Sequence, residues 1–216
     1  MKVLIEKLKT ELGYLYSDAE LQHVFFEITE KITGFSRASL LANKNTIFLA
    51  EQNQIFDTII KNLKTGAPLQ YVLGEAWFYG LRFNVNPSVL IPRPETEELV
   101  EWIIEENKCH KALRIIDIGT GSGCIAVSLK SNLKDAEITA TDISEAALTT
   151  AKSNALENNL EVNFIRADIT LGEPQTMFWD IIVSNPPYIT NAEKPDMHPT
   201  VTDFEPHIAL FTENTD

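Results

Sequence analysis

The chain has 216 residues, 44% of them hydrophobic and 23% charged, values that exclude a disordered chain, a collagen and a disulfide-stapled miniprotein. At roughly 100–200 residues per domain, this length holds one large domain or two small ones. The formal net charge is −13, from 31 acids against 18 bases, which argues against gripping a phosphate backbone, a task that needs clustered Lys and Arg.

The first third is predicted to be helical. Val3, Leu4, Leu8, Leu12 and Leu15 recur at helical spacing, and the charges mixed among them mark an amphipathic helix rather than a signal peptide. Ser17-Asp18-Ala19-Glu20 has a capping-box pattern. The helix it opens carries Leu21, Val24, Phe25 and Ile28 on one stripe, and Gly34 is a natural stop. A third helix is expected near residues 52–63, ending before Gly66. Residues 1–66 hold 8 bases and 8 acids, whereas the other 10 bases and 23 acids lie beyond them. A neutral segment followed by an acidic one predicts two units with different surfaces. The neutral unit carries no motif for chemistry and reads as a small helical domain that docks a partner or covers a site.

Residues 70–74 and 81–86 alternate and are rich in β-formers, with Gly80 between them, so a β-hairpin linker is expected over 67–90. Pro94 suits the first turn of a helix, and Glu95, Glu97 and Glu98 complement its dipole. From residue 112 the pattern alternates. Strands are expected at 113–118, 137–142, 162–165 and 179–183, and helices at 124–129 and 144–158. This rhythm predicts an α/β domain over 91–216, a parallel sheet with helices on both faces. Cys109 and Cys124 make neither a disulfide framework nor a zinc site and read as free thiols in a reducing cytosol. No apolar run approaches the ~20 residues needed to span a bilayer. A soluble cytoplasmic protein without a metal is expected.

Three motifs carry chemistry. Asp117-Ile118-Gly119-Thr120-Gly121-Ser122-Gly123 lies between a predicted strand and a predicted helix. Its glycines permit a tight turn and close approach of a ligand. A dinucleotide fingerprint has its third glycine at the sixth position, where this chain has Cys124, so the spacing is that of Gly-x-Gly-x-Gly. Asp142 ends the next strand, where a carboxylate can accept both hydroxyls of a ribose or can cap the following helix. Asn185-Pro186-Pro187-Tyr188 follows the fourth strand. Prolines fix the backbone and leave their carbonyls as acceptors. With the Asn185 side chain, these carbonyls suit a planar NH2 held by both hydrogens, and Tyr188 adds an aromatic face.

The Asn185–Tyr188 motif with Ile189, the stretch Ile91-Pro92-Arg93-Pro94-Glu95-Thr96-Glu97 and the turn at 117–123 resemble the peptide chain release factor glutamine methyltransferases (the HemK/PrmC family). So do Pro68-Leu69-Gln70-Tyr71 with Gly74-Glu75, and Glu205-Pro206 near Ala209-Leu210. The likeness runs from about Pro68 to Leu210. It implies a Rossmann-like class I S-adenosyl-L-methionine-dependent methyltransferase domain, preceded by a small all-α domain. It also implies S-adenosyl-L-methionine as cofactor and release factors as protein substrates, methylated on the glutamine of Gly-Gly-Gln. In such an enzyme Asn185, Pro186, Pro187 and Tyr188 would hold the target glutamine. Gly119, Thr120, Gly121, Ser122, Gly123 and Asp142 would hold the cofactor. Asp117, Asp168, Ile169 and Asn185 complete the cofactor set, although family members often carry an aromatic residue where Ile169 stands. The class has a seven-stranded sheet and four strands are counted, so a chain truncated at its C-terminal end is expected, with an unpaired edge on the fourth strand.

A planar NH2 also occurs on the glutamine of a ribosomal protein and on adenine N6 in DNA. The adenine reading requires base flipping and a grip on duplex phosphates, which the charge opposes. A fragment that binds cofactor without turnover is a third alternative. An acidic catalytic domain favours a protein partner with basic patches around its target glutamine.

Overall fold

The computed structural model describes residues 2–42, 48–171 and 178–212. Parts of the expected domains, at 43–47 and 172–177, and the chain end at Thr215-Asp216 lie outside the described residues. The chain divides into two compact units, Met1–Leu73 and Gly74–Asp216.

The first unit is helical. Helix α1 (Lys2–Leu12) buries Leu4, Leu8 and Leu12, a strict four-residue stripe. Val3 lies off that stripe and Leu15 lies beyond the helix, so both are exposed. Helix α2 (Asp18–Thr33) opens on the expected capping box: the Glu20 carboxylate accepts from the Ser17 amide at 2.7 Å, and the Glu20 amide donates to the Ser17 hydroxyl at 3.4 Å. It closes at Gly34, whose φ of 70° is left-handed and whose amide donates to Glu30 O. A short helix α3 (Arg37–Ala42), too brief to leave a periodic signal, precedes α4 (Ala50–Leu63). Phe25 and Ile28 of α2 join Phe56, Ile60 and Leu63 of α4 in one core. The strand expected over 70–74 is instead a helix, α5 (Leu69–Leu73). Tyr71 and Val72 have β propensity, but Leu69 and Leu73 both bury in the helical core. Leu69 and Leu73 also lie on one face of the helix, and their burial among the other helices overrides a propensity spread of ~1 kcal/mol.

The second unit begins with an antiparallel pair, β1 (Glu75–Phe78) and β2 (Leu81–Asn84), around Tyr79-Gly80. Phe78 and Phe83 are buried in this unit's core, edge to face. Helix α6 (Pro94–Asn107) starts on its proline with Glu95 and Glu97 in the first turn. The chain then runs β3 (Arg114–Ile118), α7 (Cys124–Asn132), β4 (Glu137–Asp142), α8 (Glu145–Glu157), β5 (Asn163–Arg166) and β6 (Ile181–Ser184). These four strands pair in parallel only, in the order β5-β4-β3-β6.

Among the described residues, the helices that pack on this sheet gather on one face. Ile115, Ile138, Ala140 and Val183 point to one face, where their core includes Val100 of α6, Leu129 of α7 and Ala155 of α8. The residues next to them along each strand face the other way, and there Ile182 is 65% exposed and Ile165 44%. The reason is handedness. Steps β3 to β4 and β4 to β5 advance in one direction, and right-handed crossovers put α7 and α8 on the same face. The step from β5 back past β3 to β6 must cross on the opposite face. Among its described residues it carries only a 3-10 turn at Ile169–Leu171. Two short helices, α9 (Pro199–Phe204) and α10 (His207–Leu210), follow β6. The chain after them is pinned beside Ile189 by hydrogen bonds from Ile189 N to Leu210 O (3.1 Å) and from Thr212 N to Ile189 O (3.0 Å). No helix among the described residues is long and apolar enough to cross a membrane.

Candidate functional site

Register brings the carboxyl ends of the strands level: Ile118 pairs with Thr141 on one side and Ser184 on the other. Chain order reverses at β3, and ligands of open α/β sheets bind at such a switch point, outside the carboxyl ends. A cavity of about 630 Å³ opens there, within the ~300–1,000 Å³ usual for small-molecule sites.

The glycine turn forms one wall. Gly119 N and Thr120 N both donate to Thr141 O at 2.9 Å, and Gly121 N donates to Asp142 Oδ2 at 2.9 Å. At Gly121 φ is 56°, and a Cβ there would meet nothing within 4 Å, because the residue borders the cavity. Gly123 has a different task. It caps α7 at φ 81°, and a Cβ there would lie 3.0 Å from Ala151 Cβ, so glycine lets α8 pack against the turn. Gly119, Thr120, Gly121 and Ser122 line the cavity; Gly123 and Asp117 stand behind it.

Asp117 is fully buried and accepts from the Thr120 hydroxyl at 2.6 Å. Burial pushes its carboxyl up to about 7; hydrogen bonds from Thr120 and the Ala126 amide offset this in part, and the Asp142 charge adds to it. Because the folded state holds this proton more tightly than the unfolded chain does, this group's contribution to stability is fully present below about pH 4 and is lost as pH rises to about 7. Asp117→Asn should therefore gain thermal stability relative to the parent as pH is raised through that window, with a constant difference above it. Melting curves from pH 4 to 8 measure this, and a difference independent of pH would contradict it.

Asp142 lines the cavity and its carboxylate is shared. Oδ2 takes the Gly121 amide and Oδ1 takes the Ser144 amide at 2.9 Å. The helix cap proper is Ser144, whose hydroxyl accepts from Ala147 N. Asp142 thus couples the turn to the start of α8, and each oxygen retains a lone pair for a ligand hydroxyl. Asp168 and Ile169 border the same cavity, with Asp168 Oδ1 accepting from the Thr170 amide and hydroxyl.

The opposite wall is Asn185-Pro186-Pro187, directly after β6. Ser184 Oγ donates to Ile118 O at 2.7 Å and locks β6 to β3 at this point. The Asn185 Nδ2 donates to the buried Thr96 hydroxyl at 3.2 Å, which leaves Oδ1 as the acceptor for a ligand. Tyr188, the last residue of the motif, is 73% exposed and stands outside the cavity lining.

Residues to which the motifs assigned no role complete the enclosure. Ser88 to Arg93 form a further wall. The buried Glu205 anchors it, accepting from Arg93 at 2.6 Å and from the Ile91 amide at 3.3 Å. Thr96 lies in the same proline-rich stretch, where its role depends on a neighbour 89 positions away. Cys124 lies at the cavity floor, and burial pushes its thiol up to about 12, far from a nucleophilic thiolate at neutral pH.

The turn and cavity fit an adenosyl amino-acid ligand. Small residues leave open space above the backbone, Asp142 offers acceptors for hydroxyls, and the volume suffices. A family model described as the methyltransferase small domain matches residues 96–201, and one described as the PrmC N-terminal domain matches residues 19–74. The release factor glutamine methyltransferase of Flavobacterium psychrophilum is 44% identical, over 99% of this chain and 78% of that protein. The corresponding proteins of Bacteroides thetaiotaomicron and Lactococcus lactis are 42% and 41% identical, each over 97% of this chain and 75% of theirs.

Proposed function

The chain belongs to the release factor glutamine methyltransferase family, and from that premise we propose that it methylates the side-chain amide nitrogen (N5) of the glutamine in the Gly-Gly-Gln motif of peptide chain release factors, with S-adenosyl-L-methionine as methyl donor. One observation carries the reading. An amide-holding loop and a glycine turn suited to an adenosyl ligand face each other across a single cavity. Bound S-adenosyl-L-methionine supplies an electrophilic methyl group.

The chain's own residues must hold and orient a poor nucleophile. An amide lone pair is delocalised into its carbonyl, and two acceptors on the NH2 group increase its electron density and fix its direction. Asn185 Oδ1 and the Pro186 carbonyl are those acceptors. They also stabilise positive charge that develops on nitrogen. Thr96 keeps the Asn185 amide in the orientation that presents oxygen. The N–H proton is lost to solvent once the nitrogen has taken the methyl, so no strong base is required before attack, and positioning supplies most of the catalysis. Asp142, the turn at 119–123, Asp117 behind it and Asp168-Ile169 hold the donor side; Pro187 closes the acceptor side, and the exposed Tyr188 contacts the incoming protein. The neutral helical segment 1–66 contributes to docking, and the reaction takes place in the cytoplasm alongside translation. Adenine N6 would suit the same acceptors, but the charge of −13 opposes a duplex partner.

Incubating the protein with S-adenosyl-L-methionine and a release factor, followed by peptide mass spectrometry, should find a single added methyl on the Gly-Gly-Gln glutamine. An unmodified peptide, with methyl appearing instead on a ribosomal protein or on duplex DNA, would replace this reading.

A further inference from the structure

Asn154 has no part in the motifs, yet it is fully buried in the middle of α8 and every hydrogen-bonding group of its amide is engaged. Its Oδ1 accepts from Asn84 N at 2.7 Å. Its Nδ2 donates to Asn84 O at 3.0 Å and to Ser122 O at 2.9 Å. One side chain therefore substitutes for a strand partner of β2 and at the same time holds the glycine turn from behind. A buried amide so placed is costly to remove, because three backbone groups would lose their partner.

The neighbouring residues of α8 extend this seam. Asn84 Nδ2 donates to Glu157 at 2.6 Å, and Asn158 Nδ2 donates to Arg82 O at 3.1 Å. Asn86 Nδ2 donates to Thr150 Oγ1 at 3.0 Å, while Asn86 Oδ1 accepts from Ser88 N at 2.9 Å. Ser88 and Val89 then line the cavity on the wall that leads through Arg93 to Thr96. Segment 82–89 is thus strapped along α8 and delivers the acceptor-side wall. Asn154 is the rung that also touches the donor-side turn.

We propose that Asn154 is a positioning residue that joins the glycine turn to segment 82–89, so that a ligand seated on the turn also orders the wall at 88–91. The coupling is reciprocal: ordering the wall tightens binding on the turn. This rests on the reading of the turn as the S-adenosyl-L-methionine site. The two failures are separable, because loss of S-adenosylhomocysteine binding by the parent protein would remove that reading and this one together, whereas normal binding without coupling removes this one alone.

The test uses S-adenosylhomocysteine as probe. By hydrogen–deuterium exchange, its binding to the parent protein should protect both 119–123 and 84–91; protection confined to 119–123 overturns the proposal without any variant. In Asn154→Ala, protection at 84–91 should be lost, the probe's Kd should rise by about tenfold, within the usual range of intersite coupling, and KM for the release factor should rise with it. Glu157→Ala, which removes an exposed rung, should leave the probe's Kd unchanged. If Asn154→Ala lowers only thermal stability, or if Glu157→Ala weakens the probe as much as Asn154→Ala does, Asn154 is structural and the proposal falls.

Discussion

Replacing Asn185 by alanine is expected to lower methyl transfer by ~10²–10³-fold, the loss seen when one preorganised polar group aimed at developing charge is removed. The affinity for S-adenosylhomocysteine should change little, because the turn, Asp142 and the remaining cavity wall are untouched. A parallel Thr96→Val variant keeps the Asn185 side chain but removes the acceptor that fixes its amide. It should lose activity by a smaller factor, since Asn185 can still rotate into place. Single-turnover assays with the release factor, alongside calorimetric titration of S-adenosylhomocysteine, separate the two effects. Full turnover by Asn185→Ala would remove the loop from the mechanism. Equal loss of cofactor affinity and rate would move Asn185 to the donor side alone.

The second large effect is expected at Glu205. Its side chain is 2% exposed while that of Arg93 is 35% exposed. Glu205→Ala leaves the guanidinium and the Ile91 amide without their acceptor. Breaking a buried ion pair costs ~3–5 kcal/mol, and because Arg93 keeps part of its solvation roughly 2–4 kcal/mol is expected here. For a chain of this size, that corresponds to a fall in Tm of roughly 5–15 °C. Glu205→Gln retains an acceptor for the Ile91 amide and should lose about half as much. Scanning calorimetry of both variants checks the order. A Tm for Glu205→Ala within about 2 °C of the parent would mean that the 88–93 wall is held elsewhere.

Legibility from the sequence was uneven, for reasons that lie in particular residues. Ser17 to Glu20 and Gly34 could be read directly because a capping box and a left-handed stop are satisfied within one helical turn. The glycine turn, Asp142 and Asn185-Pro186-Pro187 could be read because each sits at a strand end, and the strands announce themselves by apolar runs. Residues 70–74 misled because local β propensity carried less free energy than the burial of Leu69 and Leu73 among helices. The aromatic face that Tyr188 offers a planar amide is legible in the motif, whereas its exposure past two prolines depends on the fold. The helical layering could not be inferred from alternation alone, since the same strand–helix rhythm fits any strand order; only the return of β6 to the side of β3 settles which face each crossover takes.

The amino-acid sequence by itself therefore determined most of the element types, the position of the two principal loops at strand ends and the family to which the chain belongs, because these depend on residues close together along the chain. The tertiary structure alone decided what supports them: Thr96 beneath Asn185, Glu205 on Arg93, and Asn154 between the glycine turn and β2. These contacts span 89, 112 and 32 positions. Each pairs a polar side chain with a group that reaches it only through the packing of the sheet and its helices. A buried donor or acceptor must find a partner, but nothing in the local sequence specifies which.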